Sequence, residues 1–154
     1  MGNSRPPTEQ ALAVAVRKCT CFNLRKAARA VTQFYDEIMR PSGLRATQFS
    51  LLMVIRKAGT ASIGELSERA VMDRTTLTRN LELLERERLV RIQAGEDARV
   101  RKVSLTDTAH RRLAAALPYW EKAHAQMTRR LGPGRSDRLL ADLSAAVTAA
   151  EERS

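Results

Sequence analysis

The feature that most constrains this 154-residue chain is a change of period near residue 89. Before it, apolar residues recur every three or four positions, as in helices with one buried face. After it come two β-like runs, Leu89-Val90-Arg91-Ile92-Gln93 and Val100-Arg101-Lys102-Val103-Ser104-Leu105. The polar segment Ala94-Gly95-Glu96-Asp97-Ala98-Arg99 joins them as a hairpin tip. Two helix starts stand just upstream. Ser62-Ile63-Gly64-Glu65 is a capping box opening a short helix to about Ala70. Asp73 then caps a helix from Arg74 to about Arg88, with Leu77, Leu81 and Leu84 on one side. Arg74, Thr75, Thr78, Arg79, Glu82 and Arg86 are expected on the other side.

Long helices flank this block. After a polar arm at 1–7, one uninterrupted helix is expected over about 8–40. Its stripe is Leu24, Ala28, Val31, Tyr35 and Ile38, with Leu12, Val16 and Cys19 in a second stripe beside it. A helix apolar over so wide an arc packs on more than one neighbour. Arg40-Pro41-Ser42-Gly43 ends it, and the next helix starts near Thr47 as N-cap, carrying Phe49, Leu52, Met53 and Ile55. Thr106 caps a helix to about Leu131 with an expected kink at Pro118, and a last helix follows Gly132-Pro133-Gly134.

The expected architecture is therefore mainly α with a small β-hairpin, in the order helix, short helix, tight turn, helix, hairpin: a winged helix-turn-helix. In that arrangement the second helix of the pair presents its N-terminal face to the DNA major groove. Thr75, Thr76 and Thr78 allow close approach and bond phosphates or base edges. Arg74 and Arg79 carry the planar fork that reads guanine or clamps phosphate. On that helix alone a solvated Arg/Thr face is an equal reading; the capping box before it and the basic hairpin after it favour DNA. At the hairpin, Arg99 suits a narrow minor groove, Asp97 is expected to hold its guanidinium extended, and Arg101 and Lys102 follow on the return strand.

Charge fits a polyanionic partner without demanding one. Lys and Arg number 27 against 17 Asp and Glu, net +10. Residues 1–57 carry ten basic and three acidic side chains, whereas 58–105 carry nine and eight, so the segment that reads DNA is not the most basic one. Glu82, Glu85 and Glu87 are expected on the far half of their helix, away from phosphate. A hydrophobic fraction of 44% excludes full disorder. No apolar run reaches the roughly 20 residues of a membrane span, and the polar start leads into no secretory segment, so a cytoplasmic location without a membrane partner is expected.

The run Leu66-Ser67-Glu68-Arg69 through Asp73-Arg74-Thr75-Thr76-Leu77-Thr78-Arg79, then Leu83-Leu84-Glu85 and Leu89-Val90, resembles the MarR family of multiple antibiotic resistance regulators. So do the wing Asp97-Ala98-Arg99, the exit Val103-Ser104-Leu105-Thr106, and Gly43-Leu44 with Thr47-Gln48-Phe49. The family's usual Gly after the Leu-Thr exit is Ala109 here. The resemblance implies one domain over 1–154. Helices at about 8–40 and 106–152 would interlock in a homodimer, and a DNA-reading lobe would cover about 44–105. It implies a regulator of transcription, in the first instance a repressor on a palindromic operator, released by a small ligand or by thiol oxidation. It implies no cofactor.

Cys19 and Cys21 leave readings open. Two apart on a helix, they point to nearly opposite sides and cannot bond each other. They are structural cysteines in a core, redox-sensing thiols, or, least of all, part of a metal site, for which the ligand set is too small. The effector pocket is not readable in detail; Tyr35, Trp120, Phe34 and Met53 are candidate lining residues or simply core. Two further classes compete. A thiol oxidoreductase using Cys19 and Cys21 lacks a βαβ pattern, a Cys-x-x-Cys and a phosphate loop. A winged helix serving only protein interaction lacks an attached catalytic domain. RNA binding is disfavoured by 4% aromatics.

Overall fold

In a computed structural model describing residues 6–95, 97 and 99–152, the elements follow in the order α1 (Glu9–Lys18), α2 (Thr20–Met39), a 3-10 turn (Arg40–Ser42), α3 (Ala46–Ala58), β1 (Ala61–Ser62), α4 (Ile63–Ala70), α5 (Arg74–Arg86), β2 (Val90–Ala94), β3 (Arg101–Leu105), α6 (Asp107–Leu131) and α7 (Arg135–Glu151). The chain divides between Phe34 and Tyr35 into two compact units. Among the described residues no helix is long and apolar enough to cross a membrane.

The first unit corrects the expectation of one unbroken helix over 8–40. Thr8 caps α1 by accepting the N–H of Ala11 at 3.2 Å, and α1 stops at Lys18. Cys19 leaves the helical region with ψ 110°. The Asn23 side-chain amide holds the break, donating to the Arg17 carbonyl at 3.1 Å, a group of the kind helix ends leave unpaired, and to the Cys19 carbonyl at 2.9 Å. The Cys19 thiol in turn accepts the N–H of Phe22 at 3.4 Å, so it opens α2 as a cap. Cys19 and Cys21 are therefore not two positions of one regular helix, and the argument that they face opposite ways does not hold. Both are exposed, which also corrects their reading as core residues. Leu12, Val16, Phe22, Leu24 and Val31 are exposed as well.

The second unit holds the core. Met39, Leu52, Ile55, Leu66, Leu77, Leu81, Leu84, Leu89, Val103 and Leu113 are fully buried. Truncating one of these leucines to alanine costs about 2–5 kcal/mol. The helix expected to start after Thr47 starts at Ala46. The carboxylate of Asp36 accepts the Ala46 N–H at 2.7 Å, and the Gln48 side chain accepts the Arg45 N–H at 3.0 Å. Thr47 lies inside the helix. The hairpin is antiparallel, with Val90 opposite Leu105 and Ala94 opposite Arg101. A third strand not foreseen from sequence, β1, pairs Ala61 with Val103 and gives the sheet order β1-β3-β2. This strand ties the start of α4 to the wing. Thr106 caps α6 by accepting the Ala109 N–H at 3.1 Å and donates to the Arg88 carbonyl at 2.7 Å, which fixes α6 to the end of α5. Helix α6 continues through Pro118.

Candidate nucleic-acid interface

Local chemistry sets the position of α5. The Ser62 hydroxyl accepts the Glu65 N–H at 3.2 Å and the Glu65 carboxylate accepts the Ser62 N–H at 2.6 Å, the reciprocal bonds of a capping box. Those bonds, with Lys102 at 3.5 Å, hold the Glu65 carboxyl down to about 2. Helix α4 ends at Val71, whose φ of 49° turns the chain into α5. Asp73 then accepts the Thr76 N–H at 2.9 Å, and the Thr76 side chain together with this bond holds its carboxyl below the usual range.

With Leu77, Leu81 and Leu84 buried, the opposite face of α5 is fixed. Thr75, Thr76 and Arg79 are exposed. Thr78 is half-buried, and its hydroxyl donates to the Arg74 carbonyl at 2.7 Å, which leaves it free only to accept. Arg79, two residues past Leu77, points away from the core. Arg74, at the first position of α5, is exposed as well. Its guanidinium lies against Gly64, 3.4 Å from where a β-carbon would stand. Two of the three glutamates, both exposed, have partners within the protein. Glu85 accepts the Ile92 N–H at 3.3 Å; Glu87 accepts from Gln48 at 3.1 Å and pairs with Arg112 at 3.8 Å. Arg112 also donates to the Gly43 carbonyl at 2.6 Å, a fixed scaffold role that sequence reading missed.

The wing corrects the role expected of Asp97. Its carboxylate accepts the backbone N–H of Arg99 at 2.9 Å and its carbonyl accepts the Val100 N–H at 2.8 Å, so it shapes the turn, and among the described residues the Arg99 guanidinium has no ion-pair partner. The Gly95 N–H donates to the Val100 carbonyl at 2.7 Å, and a β-carbon at Gly95 would stand 3.1 Å from that oxygen. Arg99 and Arg101 are exposed. Ala98 lies outside the described residues.

A separate cavity of about 320 Å³ is lined by Phe49, Ser50, Met53, Leu117 and Trp120. Trp120 stacks on Phe49 with centroids 6.1 Å apart and on His124 at 5.1 Å. Of the four sequence candidates, Trp120 and Met53 line it. Tyr35 does not; its hydroxyl stands 3.5 Å from Nδ1 of His124, and burial raises its pKa. Phe49 was assigned only to the core.

The arrangement has known counterparts. A MarR family model matches residues 42–100, the segment from the turn before α3 to the wing. The M. tuberculosis transcriptional regulator MosR, solved in complex with DNA, is 41% identical, over 87% of this chain and 99% of that one, with a TM-score of 0.75. The chain belongs to the MarR family. Another relative, the HTH-type transcriptional regulator YwoH of Bacillus subtilis, is 29% identical over 97 residues, 63% of this chain and 71% of YwoH. A MarR mutant from E. coli complexed with operator DNA superposes with a TM-score of 0.76, over 91% of this chain and 99% of that one, at 20% identity, a likeness of fold alone. Within this MarR-family chain the matched segment contains all the candidate DNA-facing residues except Arg101.

Proposed function

We propose that this protein is a DNA-binding regulator of transcription that acts as a homodimeric repressor on a palindromic operator. The observation that carries the reading is the outward face of α5, where Thr75, Thr76 and Arg79 stand exposed opposite a buried leucine stripe, beside a wing that presents Arg99 and Arg101. Arg79 is the base reader; Thr75, Thr76, Thr78 and Arg101 contact the backbone; Arg99 enters the minor groove. The DNA-bound relative MosR supports this assignment. Duplexes enriched from a random library by the purified protein test it: a two-fold consensus with half-sites about one helical turn apart, roughly 34–36 Å, is expected. The absence of any enriched sequence rejects it.

The dimer rests on uncovered apolar surface in the helices at both ends of the chain: Leu12 and Val16 in α1, Phe22, Leu24 and Val31 in α2, and Leu139, Leu140, Leu143 and Val147 in α7. Surface of that extent is covered in solution by a partner. Release of DNA has two candidate triggers. The cavity beside Trp120 suits a small apolar effector. The exposure of Cys19 and Cys21 favours oxidation, in which a peroxide takes two electrons from a thiol pair and leaves a disulfide and water.

A further inference from the structure

Between the wing and the two helices of the DNA-reading pair lies a cleft of about 300 Å³, lined by Ser62, Ile63, Gly64, Arg74, Arg99 and Arg101. That space is large enough for a phosphodiester group with part of its hydration. Its charge is one-sided. Glu65, the acid next to it, is committed to the Ser62 N–H and to Lys102. Among the described residues Arg74, Arg99 and Arg101 have no ion-pair partner. Among the described residues, then, three guanidinium groups without an ion-pair partner line one cleft, and an anion between them relieves their repulsion.

Gly64 sits in the first turn of α4, where glycine weakens a helix by up to about 1 kcal/mol against alanine. Its φ is not in the left-handed region, so the backbone does not require glycine. The Arg74 guanidinium lies over it, 3.4 Å from where a β-carbon would stand, the edge of ordinary contact. Arg74 thus points from the exposed start of α5 toward α4 and the wing.

We propose that this cleft clamps one phosphate of the DNA backbone between Arg74 of α5 and Arg101 of the wing, and that Arg74 reads no base. The inference rests on the DNA-binding reading above. It gives the wing and the reading helix a shared anchor, which sets how far Arg99 reaches into the minor groove while Arg79 is in the major groove.

The test is a scan of the enriched duplex in which each phosphate in turn is replaced by an uncharged methylphosphonate. With wild type, one position per half-site is expected to weaken binding about tenfold through this cleft, and Arg74→Ala is expected to be insensitive at that same position. On unmodified DNA, Arg74→Ala weakens enriched and scrambled duplexes by the same factor and lowers the salt slope by about one. Gly64→Leu, which fills the cleft, behaves alike and adds nothing to Arg74→Ala in the double variant. Gly64→Ala binds as wild type does, since its β-carbon meets Arg74 only at ordinary contact distance. If Arg74→Ala and wild type share one methylphosphonate profile, or if Arg74→Ala relaxes a base preference, the clamp is overturned while wild-type DNA binding stands. A wild type that binds no duplex overturns both. Saturable binding of inorganic phosphate that Arg74→Ala abolishes, with DNA binding unchanged, assigns the cleft to a free anion and overturns the DNA source.

Discussion

The carboxylate of Asp97 accepts the backbone N–H of Arg99 at 2.9 Å, a bond to the turn and not to the guanidinium. Asp97 therefore acts on turn geometry, and its negative charge is a cost near phosphate. Asp97→Asn keeps an acceptor for the Arg99 N–H and removes the charge, so it is expected to bind DNA at least as tightly as wild type. Asp97→Ala loses the turn bond and is expected to bind more weakly than Asp97→Asn. Fluorescence anisotropy on one duplex separates them; equal affinities of the two variants would leave the turn bond without a role.

Arg99→Ala is expected to lower DNA affinity and to reduce the slope of log affinity against log salt by about 0.9, the loss of one phosphate-equivalent contact. Arg99→Lys restores the slope but only part of the affinity, because Lys keeps the charge and lacks the planar fork. Titrations at several salt concentrations give both quantities.

Glu65 makes the start of α4 sensitive to acid. Its carboxyl is held down to about 2, against an ordinary value of 4.5, by the Ser62 N–H and hydroxyl and by Lys102. A depressed carboxyl stabilises the fold above its ordinary value, and that contribution is lost as pH falls from about 4.5 towards about 2. Asp73 is shifted in the same direction and acts in the same sense. Glu65→Gln, which keeps an acceptor but no charge, is expected to flatten the pH dependence of urea unfolding across that window. An unchanged pH profile would remove the charge from the account.

Val71 sits at φ 49°, a region costly for a β-branched side chain, and is 61% exposed, so it gives up little packing on replacement. Val71→Asn is expected to relieve about 1 kcal/mol and raise the Tm by about 2–4 °C. Calorimetry reads this directly; a lower Tm would mean that the valine side chain contributes contacts outweighing the strain.

Oxidation is expected to weaken DNA binding by wild type and not by Cys19→Ser or Cys21→Ser. Serine at position 19 keeps an oxygen to accept the Phe22 N–H, so the start of α2 survives the change. Gel shifts before and after peroxide compare the three proteins; loss of binding in all of them would place the lesion elsewhere.

What was legible in the sequence was whatever a few neighbouring residues decide. Ser62 with Glu65, Asp73 with Thr76, and Thr106 with Ala109 each start a helix by bonds within four residues, and each start stands where it was expected. The wing followed from the change of period. What was not legible depended on reach. The break at Cys19 is made by Asn23 bonding back along the chain, in a stretch whose periodicity alone reads as continuous helix. Strand β1 is two residues long and exists through Val103 and Lys102 across from it. Helix α3 takes its cap from Asp36, and Arg112 finds Gly43 and Glu87, partners far away in sequence. Within the site, spacing identified α5, but the nearness of Arg74 to Gly64 is visible only once α4 and α5 are packed.

The central claim is that the outward face of α5 reads bases through Arg79. It is tested most directly by measuring Arg79→Ala against the enriched duplex and its single-base variants. The account predicts weaker binding to the enriched duplex and the loss of discrimination at one position, worth about 1–3 kcal/mol for a bidentate contact. An Arg79→Ala protein that binds with wild-type affinity and unchanged preference at every position would contradict it.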